Sequence, residues 1–168
     1  METPILSKGQ TQTHVNAEDI YNPAFNLGTL SEQQKANYMR HTFTNFPTVL
    51  VIVLHFLTGG IFSFIYLGLK HSQVPMIKAN DFSAGKAIGF MFIPFFNLYW
   101  IFMFHVRLVN RINLQFRLRG QQEALSTGFA ITVLILSFIP FVNLINVILY
   151  PVLIGQIQSA CNRLADQQ

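Results

Sequence analysis

The sequence predicts an all-α integral membrane protein with three membrane-inserted helical segments, two of them proline-broken copies of one another. Three observations carry this. Residues 46–69, 87–104 and 129–155 contain no Asp, Glu, Lys or Arg, and each run approaches or exceeds the ~20 residues that cross a bilayer core. Across the chain 51% of residues are apolar and 11% are charged, far below the roughly 25% charged of a soluble domain. Within the runs, "VLVIVLHFL" and "ITVLILSFI" lack the polar face that would recur at helical period in a soluble core.

In chain order, residues 1–45 read as a polar tail and residues 46–168 as a helical membrane domain with segments 46–69, 84–119 and 129–165. The tail shows no signal peptide, so the first uncharged run is expected to act as an uncleaved insertion signal. Its first 30 residues are rich in Thr, Gln, Asn, Gly and Pro without periodicity. Ser31 and Gln34 then stand in capping-box spacing, predicting a short interfacial helix to about Thr42. Met39 and Phe43 are expected to face lipid there, with Lys35 and Arg40 toward phosphate; a solvated helix leading into the first span fits the same residues.

The first run opens at Pro47, a residue tolerated in a helix's first turn, and is interrupted by Gly59 and Gly60. Such glycines permit a bend or the close approach of a neighbour. His55 is the one intramembrane side chain titrating near neutral pH; a bond to a neighbouring helix is the plainer role and a proton or ligand site the sharper one. A basic connector follows, in which Asp81 or Ser83 can cap the next helix. The second run passes without a stop signal into "HVRLVNRINLQFRLRG", where Leu108, Ile112 and Phe116 keep helical spacing. The third passes likewise into a less apolar tail. Cys161 is the single cysteine, which excludes an intrachain disulfide.

Phe92, Ile93, Pro94, Phe95, Asn97 and Leu98 recur 46 residues later as Phe138, Ile139, Pro140, Phe141, Asn143 and Leu144. Residues 84–119 and 130–165 are therefore an internal repeat, and the first run is a candidate third copy with "TGG" in place of "IPF". Proline removes an N–H and clashes with the preceding turn. In a bilayer the carbonyl so freed needs a partner, a role for which Asn97 and Asn143 are the candidates. Two geometries fit, a single kinked span or a helix-turn-helix hairpin whose ends emerge on one side. Lys plus Arg number three before the first run, three in the first connector, four over residues 105–128 and one after the last run. Three full crossings would put basic connectors on both faces, against the positive-inside bias, whereas a hairpin in the second run removes the conflict.

The connector Asp81-Phe82-Ser83-Ala84-Gly85-Lys86-Ala87, the run Ile93-Pro94-Phe95-Phe96-Asn97-Leu98-Tyr99-Trp100, and Arg107-Leu108 with Arg111-Ile112-Asn113 resemble a family of small bacterial integral-membrane proteins of unknown function. The resemblance covers about residues 45–160. It implies a multi-pass protein of the bacterial inner (cytoplasmic) membrane, and brings no substrate, cofactor or catalytic residue.

For chemistry there is no phosphate loop, no HExxH spacing and no acidic pair inside the runs. Ser63, Ser137 and His55 lie in apolar runs with nothing to mark them as partnered, so no enzyme and no cofactor are predicted. Tyr99 and Trp100 suit packing or interfacial anchoring better than a ligand cage. Arg107, Arg111, Arg117 and Arg119 lie beside a membrane run, where anionic lipid headgroups are the expected partner rather than nucleic acid. The expected function is a non-enzymatic structural or interaction subunit that forms a homo-oligomer or docks on another membrane protein. The alternative is a transport component using the broken helices as a substrate site.

Overall fold

The computed structural model describes residues 19–168; the start of the polar tail lies outside the described residues. Among them there are seven α-helices and no strand. These are α1 (Glu32–Tyr38), α2 (Thr48–Leu57), α3 (Ile61–Lys70), α4 (Ala84–Gly89), α5 (Phe96–Leu118), α6 (Thr127–Leu136) and α7 (Asn146–Ala165).

Each uncharged run is folded back on itself. Residues 13 apart in one helix would stand about 20 Å apart. Yet Trp100 Nε1 donates to the Ala87 carbonyl at 3.0 Å, and Asn146 Nδ2 donates to the Val133 carbonyl at 2.9 Å. In the first run His55 Nδ1 lies 3.0 Å from Ser63 Oγ, eight residues on. The chain therefore reverses at Thr58-Gly59-Gly60, at Pro94-Phe95 and at Pro140-Phe141, and α2/α3, α4/α5 and α6/α7 are three hairpins. Of the two geometries the sequence left open, the hairpin is the one formed, in all three runs.

The hairpins close into a ring. α2 packs on α3, α3 on α4, α4 and the following single 3-10 turn on α5, α5 on α6, α6 on α7, and α7 back on α2. Ring contacts such as Phe64 with Phe92, Phe102 with Phe138 and His55 with Tyr150 put the three turns at one end of the molecule. The core takes buried side chains from every arm: Val51, Leu67, Ala87, Phe104, Val133 and Leu153. Burying each of the larger ones contributes ~1.5–3 kcal/mol. Gly155 of α7 sits where an added Cβ would meet the Ile52 side chain at 3.2 Å, which sets how closely α7 and α2 approach.

The breaks leave short arms. α2, α3 and α6 have ten residues each, about 15 Å, or half of a ~30 Å hydrocarbon core. Among the described residues one stretch, Val142–Ala165, is long and apolar enough to cross a membrane, and the other two of the three membrane-inserted segments expected from the sequence contain no helix of that kind. α5 is longer, at 23 residues, but its second half carries Arg107, Arg111 and Arg117.

That half of α5 forms a base at the opposite end, and residues 19–45 fold over it. The capping box forms at Ser31 and Gln34, starting α1. Phe43, expected to face lipid, is instead buried, because Thr42 N–H donates to the Gln73 carbonyl and pins the segment to the first connector. Ile20 and Leu30 bury against Leu114 in a second small core.

Candidate functional site

The two ends of the molecule differ in kind. At the turn end the backbone of the repeat is reproduced bond for bond. Phe96 N–H donates to the Pro94 carbonyl at 2.7 Å, and Val142 N–H to the Pro140 carbonyl at 2.8 Å. Asn97 N–H to Ile93 and Asn143 N–H to Ile139 are both 3.0 Å; Leu98 to Phe95 and Leu144 to Phe141 are both 3.3 Å. The two-residue bond makes Phe95 and Phe141 the centres of γ-turns, with φ of 61° and 65°, a conformation that is rare and strained for a bulky residue. Gly59 and Gly60 take the positive φ of the first turn, at 57° and 92°, where the absence of a Cβ removes the strain. The first run is thus a third hairpin with a different turn.

Pro94 and Pro140 lie in the turns, outside any helix, so they orphan no ladder carbonyl. Asn97 and Asn143, the residues expected to partner such a carbonyl, are both exposed, and neither side-chain amide has a hydrogen-bond partner among the described residues. The polar groups that hold each hairpin together are Trp100 and Asn146, which are themselves 46 apart, as are their acceptors Ala87 and Val133. Asn146 Nδ2 also reaches Ser137 Oγ at 2.7 Å. Sequence identity could not find this pair, since an indole and an amide do the same job in the two copies. Ser63 is fully buried and is the partner of His55. Tyr150 packs on the His55 ring at 5.5 Å between centroids and bonds His105 Nε2 at 2.8 Å; His105 Nδ1 faces the Ile101 carbonyl at 2.9 Å. Those bonds hold one arm to the next, and no carboxylate joins them.

Around the turns the surface is apolar. Phe95 is 87% and Phe141 88% exposed, and Leu57, Ile61, Phe92, Leu144 and Ile148 are largely exposed too. Outward residues on α7 change from Val147, Ile148 and Val152 to Gln156 and Ser159 going toward the base. Along the sequence, the exposed charge nearest a turn among the described residues is Lys86 on α4.

At the base, the four arginines expected to contact anionic lipid all bond within the molecule, Arg111 buried and Arg107, Arg117 and Arg119 partly buried. Arg111 is 1% exposed and donates to the carbonyls of Phe82 and His71, each at 3.0 Å, and to that of Val74. Its other contact is His71 Nδ1 at 3.3 Å, while His71 Nε2 faces the Phe104 carbonyl at 3.0 Å. The neutral Nε2–H tautomer satisfies both. Burial, then the Arg111 charge, push the His71 imidazole down to about 3. Arg107 pairs with Asp81 at 3.3 Å, whose other oxygen accepts from Tyr21 and from the Ile77 and Lys78 N–H groups. Arg117 donates to the Ile20 and Phe25 carbonyls, and Arg119 to those of Met39 and Gln115. The reason is that the first connector, for Arg107 and Arg111, and the folded-back segment 19–45, for Arg117 and Arg119, offer nearer acceptors than phosphate. Lys70 is buried as well, 4.8 Å from the centre of the Tyr66 ring. Among the described residues no cluster of His, Cys, Asp or Glu is suited to a metal.

No family model, curated protein or solved structure matches the chain. The resemblance over residues 45–160 therefore rests on its motif residues alone.

Proposed function

We propose that the protein is a non-enzymatic membrane-embedded structural protein whose three hairpins enter one leaflet from one side, turns first, and leave on the same side. The observation that carries this is the uncharged, apolar turn end opposite a base that holds every connector. Ten-residue arms reach about as deep as one leaflet's share of the hydrocarbon. All the basic connectors then lie on one face, and the conflict that three crossings create with the positive-inside bias disappears. A bacterial inner membrane, its cytoplasmic leaflet, is the location this reading favours. Lipid is the first partner, and docking to a second copy or another membrane protein would use the outer faces of α2 and α7, where Val49, Val53, Ile148 and Val152 are exposed.

The structural reading is preferred to the transport alternative because Asn97 and Asn143 stand exposed at two different turns. The test is cysteine accessibility in a Cys161→Ser background with single cysteines at Ser72, Gln121 and Phe95. Labelling of positions 72 and 121 from the same side, with position 95 protected from both, is expected. Labelling of 72 and 121 from opposite sides overturns the proposal.

A further inference from the structure

We infer that the turn end is a rigid wedge that selects strongly curved membrane, the occupant of this apolar surface being the acyl region of one outwardly bent leaflet. The inference rests on the one-leaflet reading above. Six arms standing side by side, each ~10 Å across, present roughly 500 Å² of cross-section. At a depth of about half the hydrocarbon core that area is added to one leaflet and withheld from the other. A leaflet so expanded bends toward the side of insertion, and a membrane already bent that way takes the wedge at less cost.

Two structural features make the turn end suited to this. First, the ring cannot splay easily: it is closed by α7 on α2, and every hairpin carries its own inter-arm bond, at His55–Ser63, Trp100–Ala87 and Asn146–Val133. Second, the second and third turns keep a phenylalanine at the very position where positive φ favours glycine, and expose it almost completely. A large aromatic side chain held outward at backbone cost anchors the leading tip of the wedge among the acyl chains. Anionic lipid is a secondary source of affinity, because Arg107, Arg111, Arg117 and Arg119 are used inside the molecule.

The experiment is flotation of the purified full chain with phosphatidylcholine vesicles, sonicated (small) against extruded (large), at equal lipid and with or without phosphatidylglycerol. The wedge requires several-fold more protein on small vesicles at either composition. The Phe95→Ser/Phe141→Ser double variant should lose that preference while keeping its helical circular dichroism and melting temperature; Phe95→Leu/Phe141→Leu should retain most of it. Equal binding to both sizes overturns the wedge and leaves the one-leaflet reading standing. Binding set by phosphatidylglycerol content rather than size overturns it in favour of headgroup recognition. A folded chain that binds neither vesicle, or that pairs turn to turn with a second copy when lipid is present, overturns both.

Discussion

Phe95 and Phe141 set local stability against exposure. A bulky residue at positive φ costs on the order of 1–3 kcal/mol, and glycine occupies that region freely, so Phe95→Gly or Phe141→Gly is expected to raise the unfolding free energy in detergent by ~1 kcal/mol while weakening vesicle binding. A stability loss instead would mean that these side chains pack in a way their exposure does not suggest. Asn97→Leu and Asn143→Leu are expected to leave stability within about 0.5 kcal/mol of the parent, the usual range for surface changes that break no bond. His71 behaves oppositely because it is buried neutral. Its folded pKa, about 3, lies below the ordinary 6.5, so the unfolded chain binds more protons at acid pH. Its contribution is whole above pH 6.5 and is lost progressively as pH falls toward 3. His41, pushed down to about 4 by burial and Arg119, acts in the same direction. The melting temperature should fall between pH 7 and 4, and His71→Gln should flatten part of that slope; an unchanged slope in His71→Gln would locate the titration elsewhere.

The hairpin is the element that the sequence half discloses. Loss of charge over three runs and the repeat of Phe-Ile-Pro-Phe mark where apolar helix is interrupted, because both are written in residue type. The direction of the chain after the break is not, since a proline permits a kink or a reversal, and only contacts 13 residues apart decide between them. Those contacts, Trp100 on Ala87 and Asn146 on Val133, use different side chains for the same register. The arginines were misplaced for a related reason: charge count shows that Arg111 needs partners but not that the backbone of residues 71–82 and 19–45 supplies them. Register bonds of this kind are testable. Trp100→Phe keeps the ring and removes the donor, leaving the Ala87 carbonyl without its partner beside a buried core residue, a loss of ~1–3 kcal/mol. Asn146→Leu should cost a similar amount by the same route, read as detergent denaturation midpoints. If the two hairpins are equivalent units, the two losses will match within about 1 kcal/mol; a loss confined to one would show that the repeat is geometric without being energetic.

At the scale of the molecule, the separation of an apolar turn end from a hydrogen-bonded base implies that binding and stability can be changed independently. Phe95 and Arg111 are 16 residues apart along α5 and its turn, about 24 Å. Arg111→Met removes every donor that the Phe82, His71 and Val74 carbonyls share and is expected to destabilise by ~3 kcal/mol or more. Arg111→Lys keeps the charge but replaces the planar fork with one ammonium and should fall in between. Sites that far apart with no common partner add within roughly 0.5 kcal/mol. Combining Arg111→Lys with Phe95→Ser should therefore give the stability loss of Arg111→Lys alone, and the curvature preference of Phe95→Ser alone. Coupling beyond that margin would mean that strain at the turn is transmitted down α5 to the clamp on the connector. The ring would then be a lever linking lipid contact to the fold of the base, and additivity would leave it a passive wedge mounted on a separate platform.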